Sequence, residues 1–240
     1  KSSGISLLAA SVLWTCATQA HATTYTFTDL GTFGGTNSYA YAINDSGQVV
    51  GETTNISGDY RATLWNGTSA TDLGVLAGSF SRALAINASG QMAGFSSTTG
   101  NTSVQAILWN GTTATALGSL GWIGSAASAI NASGQVVGHA YTAESVYHAV
   151  RWIGATATEL GTLPGWTNSI ATAINATGQV AGYSSTYGNA SIQAMLWNGT
   201  TPTALGSLPG WTGSYATSIN ASGQVAGNAQ TTYAAQHATL

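Results

Sequence analysis

SYAYAINDSGQVVG, residues 38–51, decides the fold of this chain, because four later stretches copy it. They are SRALAINASGQMAG from Ser81, SAASAINASGQVVG from Ser125, SIATAINATGQVAG from Ser169 and SYATSINASGQVAG from Ser214. The Ile-Asn pairs begin at Ile43, Ile86, Ile130, Ile174 and Ile219, giving steps of 43, 44, 44 and 45 residues. A period in this range points to a propeller, a solenoid or an array, in which each unit buries its apolar surface on the next.

Working outward from the second copy, each unit splits into four short segments. Residues 81–86 (SRALAI) precede the turn Asn87-Ala88-Ser89-Gly90, residues 91–97 (QMAGFSS) follow, and a polar loop leads to residues 105–109 (QAILW). Asn110-Gly111 then turns the chain into residues 113–118 (TATALG). Asn-Gly at Asn66, Asn110 and Asn198 predicts type I′ hairpins, which want positive φ at both central residues. Gly90, Gly134, Gly178 and Gly223 suit a left-handed position in the other hairpin. No segment after the leader keeps a 3.6-residue period, so no helix is expected there.

The first strand keeps one face small. Ser38, Ala40 and Ala42 recur as Ser81, Ala83 and Ala85, as Ser125, Ala127 and Ala129, as Ser169, Ala171 and Ala173, and as Ser214, Ala216 and Ser218. These alternate at period two and so share a face, while the opposite face varies from Tyr39 and Tyr41 to Arg82 and Leu84 to Ala126 and Ser128. Such a strand fits a crowded place where sheets converge. Trp65, Trp109, Trp152 and Trp197 recur on the third strand, where a Trp per unit packs between adjacent sheets.

The expected fold is therefore all-β, a β-propeller of about five four-stranded blades built from 44-residue repeats. Residues 25–31 (YTFTDLG) match a fourth strand such as Asp72-Leu73-Gly74, and Ala238-Thr239-Leu240 matches a third strand just before its Trp. The N-terminal strand is expected to complete the last blade and close the ring as a monomer. A chain that continues past Leu240 with further units is the rival reading.

Residues 1–22 read as a secretory signal peptide, with Lys1, an apolar run from Ile5 to Trp14, and an Ala20-His21-Ala22 cleavage site. The apolar run is too short to span a bilayer. Residues 23–240 form the repeat domain, which without Cys16 has no thiol for a disulfide or a thiolate metal site. Three Arg stand against seven acids there, a balance of −4, and only 5% of all residues are charged. Nucleic acid is excluded as a partner on that ground, since phosphate binding needs clustered cations.

Ala-Ile-Asn-x-Ser-Gly-Gln-Val-Val-Gly, followed by His148-Ala149-Val150-Arg151-Trp152 or Arg61-Ala62-Thr63-Leu64-Trp65 and then Leu-Gly, resembles the HAF family of bacterial extracellular repeats. The resemblance runs through nearly the whole repeat region. It implies a secreted or surface-associated bacterial protein and carries over no catalytic residues.

Chemistry is sparse. The acids Asp29, Asp45, Glu52, Asp59, Asp72, Glu144 and Glu159 mostly stand where other copies are neutral, so no carboxylate pair suggests a glycosidase. His139, His148 and His237 do not share a strand and read as polar strand residues, so no metal site is expected. Asn44-Asp45-Ser46-Gly47 lacks the carboxylates of a calcium loop. No cofactor and no catalysis are expected.

The remaining candidates are loop aromatics. Trp122, Trp166 and Trp211 lie between one unit's fourth strand and the next unit's first, and Tyr60, Tyr141, Tyr147, Tyr187 and Tyr233 lie around the loops between second and third strands. In a propeller both loop sets share a face, where aromatics among hydroxyls and amides suit stacking on sugar rings. The competing role for each Trp is a plug folded over the neighbouring blade. The expected function is a non-catalytic binding module for carbohydrate or another cell-envelope component, with a structural matrix or fibre role as the alternative.

Overall fold

A computed structural model describes residues 25–231 and 235–240. The expected signal peptide and Tyr233 lie outside the described residues. The chain runs through successive antiparallel meanders. The first sheet holds β1 (Gly34–Ile43), β2 (Gln48–Asn55), β3 (Tyr60–Asn66) and β4 (Ser69–Asp72), and the second β5 (Ser81–Ile86), β6 (Gln91–Ser97), β7 (Val104–Asn110) and β8 (Thr113–Ala116). The third holds β9 (Gly124–Ile130), β10 (Val136–Tyr141), β11 (Tyr147–Ile153) and β12 (Thr156–Glu159), and the fourth β13 (Asn168–Ile174), β14 (Val180–Ser185), β15 (Ile192–Asn198) and β16 (Thr201–Gly206). The fifth holds β17 (Gly213–Ile219), β18 (Val225–Gln230) and β19 (Gln236–Thr239), tied to the fourth by one parallel bridge between Ile192 and Gly213. Among the described residues helix is confined to two single 3₁₀ turns, Thr99–Asn101 and Tyr187–Asn189.

Local chemistry explains both hairpins. In the first, the Asn87 side chain accepts from the backbone N–H of Ser89 and Gln91, and Gly90 takes φ +77°. A short polar side chain thus does the work of a backbone turn. The second hairpin differs from the expected type. Asn66 pairs with Ser69 as the last residue of β3, so Gly67 (φ +59°) and Thr68 are the central residues, and only the glycine has positive φ. That is the II′ pattern, set by where the ladder ends rather than by the Asn-Gly pair itself.

A bulge shifts the register inside the first strand of each sheet, as between Ala83 and Ala85. It drives the Arg82 carbonyl so close to Gly94 that a Cβ there would collide with it, which explains the glycine in every second strand.

The sheets stack face to face, each first strand against the preceding sheet. Trp109, Trp152 and Trp197 are buried between them, their indole N–H groups donating to the carbonyls of Leu73, Gly118 and Gly161 one sheet earlier. The recurrent serine is more than small. The Ala62 C=O takes the Leu73 N–H, and its N–H on the same side would be left over where β4 has ended; Ser81 Oγ accepts it at 2.9 Å. Ser125, Ser169 and Ser214 do the same for Ala106, Ala149 and Ala194.

An asparagine ladder runs along the turns. The Nδ2 groups of Asn44, Asn87, Asn131 and Asn175 donate to the carbonyls of Asn87, Asn131, Asn175 and Asn220 at 3.1–3.2 Å. Asn87, Asn131 and Asn175 are buried, and each is matched by a neighbour's complementary group, which fixes the spacing of the stack.

The expected ring closure is not formed. Residues 25–32 adopt no strand, β19 pairs only with β18 among the described residues, and no strand pairing joins the first sheet to the fifth. Leu30 instead lines a shallow cavity on the first sheet together with Ala40, Ala42 and Val49. Leu73 sits in the same way against Ala83 and Met92 in the next sheet. The fourth-strand likeness of residues 25–31 is thus expressed in where Leu30 lies, while the segment's ladder partner is missing.

Candidate functional site

The first and second strands hold one layer that does not repeat. The paired residues Tyr39 and Glu52, Arg82 and Phe95, Ala126 and His139, Ile170 and Tyr183, and Tyr215 and Asn228 occupy matching positions in the five sheets. They lie near the end where the loops between second and third strands gather, so those loops add Tyr60, Tyr141 and Tyr147. The result is a band of aromatic groups with one ion pair.

Glu52 anchors the first part of the band. Only 2% exposed, its carboxylate accepts from the Tyr41 hydroxyl and from Arg82 Nε, each at 2.6 Å. A buried carboxylate needs such partners, and the two hydrogen bonds with the opposite charge supply them. The Arg82 guanidinium also lies 5.8 Å from the Tyr60 ring centre and 5.9 Å from that of Phe95, within cation–π range. Tyr39 stands 6.2 Å from Tyr60. Burial, then the bond to Glu52, pushes the Tyr41 phenol up to about 12, so it stays a proton donor at neutral pH.

His139 centres the middle part, its ring 5.3 Å from Tyr147 and 6.3 Å from Tyr141, which are 5.7 Å from each other. Burial pushes His139 down to about 4, leaving a neutral imidazole whose Nδ1 is buried without a hydrogen-bond partner. Tyr141 is held by its hydroxyl, which accepts the Val104 N–H of the preceding sheet. Tyr183 and Tyr215 form the last part, edge to face at 5.1 Å, with burial and then Tyr215 raising the Tyr183 phenol.

The structure places the sequence candidates in two groups. Tyr60, Tyr141 and Tyr147 join the band. Trp122 and Trp211 lie elsewhere, their rings tilted against those of His148 (4.4 Å) and His237 (4.5 Å) of the following sheet. Trp122 also packs against the core between the second and third sheets. Trp166 sits in the same kind of tight turn, its N–H donating to the Leu163 carbonyl as that of Trp122 does to Ser119. Tyr187 is an exposed residue of the second 3₁₀ turn.

Tyr39, Tyr41, Glu52, Arg82, Phe95, His139, Tyr183 and Tyr215 were not among the candidates. Their signal was present in the sequence as variation on the one strand face that does not repeat. His148 bonds Glu159 at 2.8 Å on the outer strands, away from His139. Among the described residues no three His, Cys, Asp or Glu side chains gather as a metal site.

No family model and no curated protein matches the chain. Solved structures do. TolB from Acinetobacter baumannii superposes with a TM-score of 0.52 at 12% identity, over 80% of this chain and 49% of that one. The four-stranded antiparallel sheets resemble propeller blades. The solved structures this chain resembles are β-propellers, and at such low identity the likeness is one of fold alone. The beta-propeller domain of the Trilobed protease from Pyrococcus furiosus, of open velcro topology, gives 0.49 at 9% identity over 70% of this chain and 51% of that one. Aleuria aurantia lectin in complex with Fucalpha1-6GlcNAc gives 0.46 at 12% over 84% and 73%. This chain spans about half the length of the first two structures. Its five blades, the last with three described strands, form an open stack with the aromatic band across one end.

Proposed function

We propose that this chain is a secreted, non-catalytic binding module of the HAF repeat type, and that the aromatic band takes a neutral, hydroxyl-rich ligand, a carbohydrate of the cell envelope. The observation that carries this reading is that the matching band positions read Glu52, Phe95, His139, Tyr183 and Asn228, while the turns, the small first-strand face and the third-strand tryptophan recur from blade to blade. A repeating frame needs the same residues at each step, so a layer of different aromatics is free to serve recognition.

The chemistry of the band supports the ligand class. Arg82 and Glu52 neutralise each other, and the tyrosines present ring faces with hydroxyl donors beside them. That combination suits stacking on a sugar ring with a few polar groups fixing orientation, and offers no net charge to an ionic ligand. Tyr39, Tyr60, Tyr141 and Tyr147 are the proposed contact residues. Trp122, Trp166 and Trp211 are assigned to packing between blades, and Tyr187 stands apart on its loop.

Binding to a panel of cell-wall polysaccharides tests the proposal. The double variant Tyr39→Ala, Tyr147→Ala is expected to weaken affinity at least tenfold, each lost stacking contact costing roughly 1 kcal/mol. Replacing Trp122, Trp166 and Trp211 together by Ala leaves affinity within about twofold where the fold is retained. Binding that follows the tryptophans and ignores the tyrosines would reassign the site, and no binding to any polysaccharide would end the carbohydrate reading.

A further inference from the structure

The aromatic band continues from blade to blade, because one of its residues bridges every junction. Between the first and second blades, the Arg82 guanidinium lies 5.8 Å from the Tyr60 ring centre and 5.9 Å from that of Phe95, while Glu52 holds its Nε. Between the second and third, the Tyr141 hydroxyl accepts the Val104 N–H at 3.1 Å, where β7 leaves its loop. Between the third and fourth, the Tyr147 N–H donates to the side chain of the buried Asn168 at 3.0 Å. Burial, then Tyr215 and then Tyr147 raise the Tyr183 phenol, so Tyr147 stands within electrostatic reach of it across that junction. Between the fourth and fifth, Tyr183 meets Tyr215 edge to face at 5.1 Å.

These groups are neither core nor loose surface. Tyr60, Phe95, Tyr141, Tyr147, Tyr183 and Tyr215 are all half-buried, whereas the tryptophans at the junctions are at most 1% exposed. A ring packed on one side offers a fixed face on the other, and stacking on it costs little side-chain freedom. The band also carries little charge to direct a ligand. Arg82 is neutralised by Glu52, and among the described residues of the loops between second and third strands the charges are Asp59 and Glu144, both acidic. An anionic ligand gains nothing from these loops, and a small one fills only part of the band. Sheets packed face to face stand roughly 10 Å apart, so the run from Tyr60 in the first blade to Tyr183 in the fourth covers on the order of 30 Å, longer than a mono- or disaccharide.

We propose that the band is a track for one linear, uncharged polysaccharide, which lies across successive blades and is held along its length rather than at an end. This rests on the carbohydrate reading above and narrows it. Sugar rings of the one chain stack on platforms at Tyr60, at Tyr147 and at Tyr183, and its hydroxyls meet the phenols between them. Each platform holds weakly by itself. Once one is occupied, the next is filled from the same molecule, so affinity follows the number of platforms that a single chain reaches. A terminal sugar or a short branch reaches one platform and binds weakly.

The test takes a neutral polysaccharide that binds in the panel above, such as chitin or a β-glucan, cut into a ladder from monosaccharide to hexasaccharide and titrated calorimetrically into the full chain. Affinity is expected to climb as sugars are added, by on the order of a hundredfold from disaccharide to hexasaccharide. Tyr60→Ala and Tyr183→Ala remove platforms far apart on the track, and each is expected to weaken hexasaccharide binding about fivefold or more and to make the ladder shallower. The wild-type ladder is read without any variant, so a variant that fails to fold does not decide the matter. A hexasaccharide that binds no tighter than the disaccharide overturns the track and leaves the carbohydrate reading standing. So does tight binding that depends on one of the two tyrosines and ignores the other, or binding confined to charged polysaccharides. Failure of every polysaccharide to bind overturns both.

Discussion

The junctions between blades and the aromatic band are built on the same strands and obey opposite rules. At the junctions the same residue types recur at every step, as in the ladder Asn44, Asn87, Asn131 and Asn175. In the band the matching positions read Glu52, Phe95, His139, Tyr183 and Asn228. A junction residue has a partner one blade away that needs its shape and its hydrogen bond, so changing it disturbs two units. A band residue can also touch the next blade, as Glu52 touches Arg82 and Tyr183 touches Tyr215, but the pair is a different one at each step. The difference separates the groups that hold this protein together from those available for recognition.

The comparison is broken most severely at Trp152, which is fully buried and donates to Gly118 at 2.7 Å. Trp152→Ala is expected to lose about 3–5 kcal/mol in chemical denaturation, the usual cost of emptying such a site. A band residue gives the next effect through acid. His139 titrates near 4 when folded and near 6.5 when unfolded, so the unfolded chain binds more protons between these values. Its contribution is whole above pH 6.5 and is lost as pH falls toward 4, up to about 3 kcal/mol. Denaturation midpoints measured from pH 7 to 4 should fall, and His139→Phe should flatten that fall.

A smaller loss is expected at the ladder. Asn131 makes bonds to Gln135, Ser133 and Asn175, and Asn131→Ala is expected to cost about 2 kcal/mol, since a buried carbonyl loses its donor. Thermal melts of this variant beside Asn220→Ala sharpen the point, because Asn220 is exposed and its amide donates within its own turn, to Gln224, so it should matter less. The smallest effect belongs to Tyr187, exposed on its loop, where Tyr187→Ala should stay within about 0.5 kcal/mol of the wild type.

Much of the fold was legible because a repeat states its own rules five times over. The hairpins, the small face of the first strand and the buried tryptophans all follow from residues that recur at fixed places. The turn type at Asn66 was not legible, since Asn-Gly fits more than one register and the ladder chose the one with Asn66 still in the strand. Nor was the job of the serines, whose partner N–H is free only because the fourth strand stops short of it. The site was half legible. Tyr60, Tyr141 and Tyr147 carry loop positions that drew attention, but Glu52 and Arg82 lie 30 residues apart and meet only because two blades pack face to face.

By itself the sequence determined the unit: four strands, their turns and the face each presents, because these depend on neighbours within a few residues and on side-chain alternation. Tertiary structure alone decided how units meet, which polar groups find partners one blade away and which aromatics converge at one end. It also decided that Leu30 lines a cavity on the first blade and that residues 25–31 do not pair with β19. Closing a strand ladder depends on where two distant edges lie in space, and the pattern of residues along either edge does not contain that distance.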